Sequence, residues 1–183
     1  MRGYFLNTFL LLIALFLGHS IVAQDQVNKR VAFSADLFAF SLPLAGGSMS
    51  LFEEDWSGTE QAVFSFGSTY VSALFLKRII NQERPNGDAY GFPSGHTAMA
   101  FSGATYIQER YGWQYGLPAY LLAGYVGWTR IYLKEHNVKQ VFGGAFLGYF
   151  LSRYFTTPYG KEGLKYSFLV GKKRAFLQVS LRF

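Results

Sequence analysis

The stretch that decides the fold is Pro93-Ser94-Gly95-His96-Thr97-Ala98-Met99-Ala100-Phe101-Ser102-Gly103-Ala104, running on to Arg110. Turn-forming residues from Arg84 to Phe92 precede it, and a run of small and apolar residues at helical spacing follows. Ser94 suits the N-cap of a helix over 94–110, because its hydroxyl can accept from first-turn N–H groups that have no intrahelical partner. Segments of the same kind lie on either side, approximately Val31–Phe52, Glu60–Ile80, Gly116–Leu133 and Lys139–Phe155. They predict an all-α fold, a membrane-associated bundle of five to six helices. Gly144 and Gly148, four apart on one face, are a signal for close helix packing.

Composition supports a bundle near a membrane. Half of the 183 residues are hydrophobic and 15% are charged, below the roughly 25% of soluble domains. A soluble bundle of very apolar helices is the alternative, since Asp36 interrupts the first span and Lys77 lies inside the second. The formal charge of +6 suits an anionic partner such as a phosphate ester or acidic lipid headgroup. The basic residues are scattered among apolar segments without a Lys/Arg-rich run or stacking motif, which argues against nucleic acid. With no cysteine, disulfides and thiolate metal sites are excluded.

The two ends differ from the middle. Arg2, the apolar stretch Phe9 to Leu17 and small residues up to Ala23 have the layout of a secretory signal peptide cleaved after Ala23. Against cleavage, Ile21 is larger than the preferred minus-three residue, and Tyr4 to Ala23 is about long enough to be an uncleaved transmembrane helix. Both readings send Gln24 across the membrane. After Pro158, Tyr166, Phe168 and Val170 alternate with other residues, as do Ala175, Leu177, Val179, Leu181 and Phe183. Period two predicts a short C-terminal β-hairpin turning at Gly171 to Arg174. The expected organisation is 1–23 as signal peptide or first transmembrane helix, 24–158 as one helical domain, and 159–183 as the hairpin tail.

Three clusters carry chemistry. In the first, Lys77 and Arg84 would share a face if helix persisted, while Pro85 biases Arg84 toward extended backbone. In the second, the N–H groups of Gly95 and His96, with the positive end of a helix dipole, would face an oxyanion, and Gly95 lets the backbone approach closely. In the third, Arg130 sits beside apolar residues, where an unpaired cation is expensive, with His136 following. Taken singly, these are a basic membrane anchor, a capped helix start and a loop histidine. Together they are more specific.

The order Lys77, Arg84-Pro85, then Pro93-Ser94-Gly95-His96, then Arg130 with His136, resembles the three-part signature of the type 2 phosphatidic acid phosphatase family, over roughly residues 54–155. The resemblance implies hydrolysis of a lipid phosphate or diphosphate with no metal and no cofactor. His136 would be the nucleophile, giving a phosphohistidine, and His96 the acid for the leaving group. Lys77, Arg84, Arg130, the Ser94 hydroxyl and the Gly95 N–H would bind the phosphate oxygens. The family normally has Asp where this chain has Gln140, which can accept the imidazole proton but cannot stabilise an imidazolium as a carboxylate would. The chain would then be a slow enzyme, or a non-catalytic lipid-phosphate binder, or another carboxylate would take the role: Glu135 is adjacent but points elsewhere on a helix, while Asp88 and Glu83 in the loop are candidates. A soluble periplasmic acid phosphatase is a third reading, and a vanadate-dependent haloperoxidase a remote one. With the N-terminus inside, all three motifs fall on one face of a bacterial cell membrane, the periplasmic one. The partners expected are a phosphorylated lipid and the membrane, with oligomeric state left open.

Overall fold

The computed structural model describes residues 24–160 in full and the backbone of 2–23, 165–171 and 174–180. Five helices follow in chain order: α1 (Arg2–Phe52), α2 (Trp56–Ile80), α3 (Gly95–Tyr111), α4 (Trp113–Tyr132) and α5 (Val138–Phe155). The helical segments expected from sequence are all present. Two compact units divide the chain, Met1–Ser34 and Ala35–Phe183. Within the first, helix covers Gln24 to Arg30, where a break before Val31 was expected. The polar residues there are all helix-compatible, and Asp25 pairs with Lys29 one turn on at 2.7 Å.

The second unit holds the site, and α3 is its centre, packed by α2, α4 and α5. Its core is made of small side chains: Ala39, Ala62, Ala100, Ala104, Ala119 and Ala123 cluster with Leu42, Ile107, Val126 and Tyr106. Small residues let helix backbones approach, and α5 shows why. A Cβ on Gly144 would strike the Ser94 carbonyl, and one on Gly148 the backbone of Ala98 and Ser102. The glycine pair therefore presses α5 onto the start of α3, where the Pro-Ser-Gly-His segment lies. Tyr106, fully buried, satisfies its hydroxyl on Gly58 O at 2.7 Å and Ser50 Oγ at 2.5 Å. At the far end of α3, buried Arg110 binds Asp55, the N-cap of α2, through Nη2 at 2.5 Å and Nε at 2.7 Å.

Among the described residues, two helices are long and apolar enough to cross a bilayer, Gln24–Phe52 and Trp56–Ile80, and only 28% and 17% of their most apolar windows are buried. A core helix of a soluble protein would be mostly covered. Instead Val63, Val71, Leu74, Phe75 and Ile79 on α2 and Phe142, Phe146 and Phe150 on α5 stand exposed, the pattern of helices facing hydrocarbon. The expected C-terminal hairpin has its turn and its side chains outside the described residues. The backbone of β1 (Lys165–Gly171) and β2 (Arg174–Ser180) pairs antiparallel.

Candidate active site

Helix α2 ends at Ile80 because Asn81 adopts left-handed backbone, φ 40°, and returns its N–H to Lys77 O. Helix therefore does not persist to Arg84, and the shared face that depended on it does not form. Arg84 is placed instead by a turn in which its N–H donates to Asp88 O at 2.7 Å and its carbonyl accepts from Gly87 N–H at 3.0 Å. The tertiary fold still brings the pair together: Lys77 and Arg84 line one cavity of about 180 Å³ with Gly95, His96, Glu135 and His136. Phe40, Tyr70, Leu74 and Met99 form its apolar side.

Ser94 occupies the N-cap of α3 in extended backbone but makes no side-chain cap bond. Its hydroxyl pairs with Thr97 Oγ1 at 2.9 Å and is fully buried behind the cavity, and its N–H donates to Gln140 O at 2.9 Å. Gly95 lines the cavity, and a Cβ there would meet only Lys77 Cε at 3.6 Å. Lys77 Nζ donates to Tyr90 O at 2.8 Å.

His136 precedes α5, so it and Gln140 do not share a helix face. The contact arises from a capping box. Asn137 is the N-cap, its side chain accepting from Gln140 N–H at 3.0 Å, and Gln140 Oε1 accepts in return from Asn137 N–H at 3.1 Å. The same Oε1 faces His136 Nδ1 at 3.2 Å, while Gln140 Nε2 donates to Glu83 O at 2.9 Å and Gln82 Oε1 at 3.1 Å. A backbone N–H only donates and a carbonyl only accepts, so these two partners fix which way the amide points. Nδ1 of His136 consequently carries a hydrogen, and Nε2 holds the lone pair.

His136 is 4% exposed. Burial first, then the positive charges of Lys77 and Arg84, push its imidazole down to about 4, against hydrogen bonds to Gln140 and the Gly91 backbone that act the other way. It is neutral at pH 7, with the Nε2 lone pair free of a proton.

The three cations differ in how far they are satisfied. Arg84 Nη1 meets Glu135 Oε2 at 3.1 Å and Asp88 at 4.0 Å, leaving buried Nε without a partner. Arg130, 5% exposed, is not among the residues lining the cavity and touches Asp36 Oδ1 through Nη1 at 3.4 Å; its Nε and Nη2 are buried and have no partner among the described residues. Asp36 Oδ1 also meets His96 Nε2 at 3.2 Å. Glu135 and Asp88, weighed as substitutes for the missing carboxylate, are thus engaged with Arg84, and Glu83 contributes only its carbonyl.

Sequence reasoning missed four contributors. Asn137 carries a local signal, standing three residues before Gln140 at the start of an apolar run as a capping box does; Gln82 gives none, since it acts only through Gln140. Glu135 was taken to point elsewhere. Asp36 was noted as a charge interrupting an apolar span, which is itself the signal that it has a partner.

The geometry is that of a membrane helical bundle enclosing a cationic pocket around a neutral histidine. The sequence profile of the PAP2 superfamily matches residues 60–163, more than half of the chain. Among characterised proteins, the lipid A 4'-phosphatase of Helicobacter pylori J99 is 28% identical over 130 residues, 64% of this chain and 66% of that protein. The lipid phosphate phosphatase gamma of Arabidopsis thaliana is 32% identical over 93 residues, 40% of this chain and 41% of that one. The matches thus span two thirds or less of these two relatives. The crystal structure of Aquifex aeolicus LpxE superposes with a TM-score of 0.51 at 26% identity, covering 66% of this chain and 84% of that chain. A transmembrane PAP2-type phosphatidylglycerolphosphate phosphatase from Bacillus subtilis gives 0.58 at 24% identity, covering 71% and 75%, a likeness of fold. The protein belongs to the PAP2 superfamily.

Proposed function

We propose that this chain is a membrane-embedded phosphatase that hydrolyses a phosphate monoester or diphosphate carried by a lipid, without a metal ion. The observation that carries the reading is a neutral His136, fixed through Nδ1, in a cavity lined by Lys77, Arg84 and His96, while Arg84 and, outside that lining, Arg130 keep buried N–H donors with no protein partner among the described residues. Buried donors without acceptors are costly unless a ligand supplies them. A tetrahedral phosphate offers acceptors and negative charge together.

In the first step the His136 Nε2 lone pair forms the N–P bond as the P–O bond to the lipid alcohol breaks. His96 gives its proton to the departing oxygen. Charge developing on the equatorial oxygens meets Lys77, Arg84, Arg130 and the first-turn N–H groups of α3, the role a divalent cation plays elsewhere. In the second step water attacks phosphorus, its proton passes to His96, and the N–P electron pair returns to His136. Ser94, whose hydroxyl faces Thr97, contributes through its place at the helix start rather than through its side chain. The relatives' names support a lipid substrate, and the exposed apolar faces of α2 and α5 support access from a bilayer. With the amino terminus inside, the site faces the periplasm.

The test is phosphate release by the purified chain, with chelator present, from a panel of phosphatidic acid, phosphatidylglycerol phosphate, polyprenyl diphosphate and lipid A. Wild-type turnover that persists in His136→Ala refutes the assignment. Gln140 favours one second reading, a homologue that holds lipid phosphate without turning it over. Tight phosphate-lipid binding with no release from any of the panel would establish that instead.

A further inference from the structure

We infer that Asp36 is a positioning residue of the reaction: with Phe40 it clamps His96, so that the imidazole presents Nδ1 to the leaving group. The inference rests on the phosphatase reading, and it concerns a residue on α1 that lies outside the region matched by the superfamily profile.

Asp36 Oδ1 stands 3.2 Å from His96 Nε2 and 3.4 Å from Arg130 Nη1, so one oxygen joins the acid to a phosphate-site cation. One turn on, the Phe40 ring meets the His96 ring edge-on, with centroids 5.8 Å apart and planes at 74°. Ala35 and Ala39, both fully buried, seat this turn of α1 against the bundle. A carboxylate inside an apolar span is expensive unless it is paired, and both of its partners belong to the site. Asp36 thus holds the ring by a nitrogen while Phe40 holds it by an edge. Helix α3 fixes only the Cα of His96; the two contacts from α1 fix the side-chain torsions.

The chemical consequence concerns which nitrogen does the work. With Nε2–H held by Asp36, the proton delivered to the leaving oxygen comes from Nδ1. As the P–O bond breaks, its electron pair goes to that oxygen and the Nδ1 proton follows. His96 ends neutral, with hydrogen on Nε2 still facing Asp36. The demand for this proton depends on the leaving group. An alkoxide needs it, whereas p-nitrophenolate leaves as a stable anion.

The experiment compares phosphatidic acid with p-nitrophenyl phosphate for the full chain in detergent, in wild type and in Asp36→Ala, Asp36→Asn and His96→Ala. General acid catalysis contributes roughly 10²- to 10⁴-fold, and misorienting the acid should forfeit about 10- to 100-fold of kcat on phosphatidic acid against less than about threefold on the aryl ester. Asp36→Asn keeps an acceptor in place and should lose less than Asp36→Ala. The double variant Asp36→Ala/His96→Ala should lose no more than His96→Ala alone, because the two act as one unit. Equal losses on both esters, or wild-type rates on phosphatidic acid in folded Asp36→Ala or Asp36→Asn, overturn the inference. A wild-type chain that hydrolyses neither these esters nor any lipid of the panel overturns the phosphatase reading beneath it, and the inference with it.

Discussion

Replacing Gln140 by Asp is the most informative single change, because the structure sets its two effects against each other. The amide donates to Glu83 O at 2.9 Å and Gln82 Oε1 at 3.1 Å, and a carboxylate can do neither. Gln82 and Glu83 both lie on exposed residues, so Gln82 can turn its amide and water can reach the Glu83 carbonyl. The loss is therefore about 1–2 kcal/mol rather than the full cost of buried orphans. Gln140 is fully buried, and removing one methylene there costs a further 0.8 kcal/mol or roughly that. Against this, the bond to His136 Nδ1 becomes charge-assisted, about twice as strong as a neutral one. That gain is largest when the imidazole becomes cationic on attacking phosphorus. An extra 1.4 kcal/mol or so in the transition state raises kcat about tenfold. The opposite charge also favours imidazolium in the resting enzyme, so the acid limb of the rate profile moves upward from the wild-type value near 4. The measurement is kcat against pH for the purified variant, with thermal unfolding alongside. A folded Gln140→Asp whose kcat is at or below wild type, with its acid limb unmoved, refutes the claim that this contact governs the nucleophile.

Four further outcomes are expected. Arg130→Leu removes two buried donors that have no protein partner, so KM for a phosphate ester rises about 10- to 100-fold; inorganic phosphate should raise the melting temperature of wild type but not of the variant. Arg110→Ala strands the buried Asp55 carboxylate and lowers stability by about 3–5 kcal/mol, read by unfolding in detergent; a loss under about 1 kcal/mol contradicts the burial argument. Gly148→Val drives a side chain into the Ala98 and Ser102 backbone, at a cost of about 1–3 kcal/mol, whereas Gly124→Val meets open space and should be neutral. For stability against pH, the unfolded His136 binds a proton near 6.5 and the folded one not until about 4. The unfolded state therefore binds more protons between those values, and stability falls by about 3 kcal/mol as pH is lowered through that window. His136→Gln should flatten that part of the curve.

The helices and the motif residues were legible because their signals are local. Apolar spacing and turn residues marked all five helical segments, and Lys77, Arg84, Gly95, His96 and His136 do line one cavity. The boundaries have local causes too: Asn81 ends α2 by adopting left-handed backbone, at the Ile80 expected, while the break expected before Val31 does not occur because the polar run from Gln24 to Arg30 is helix-compatible. What only the tertiary structure decided is who satisfies whom. Asp36 reaches His96 and Arg130 across three helices, Glu135 answers Arg84, and Gln82 and Glu83 orient Gln140. A sequence lists donors and acceptors, but burial turns them into obligations, and which partner meets each one depends on distances that exist only after the helices have packed.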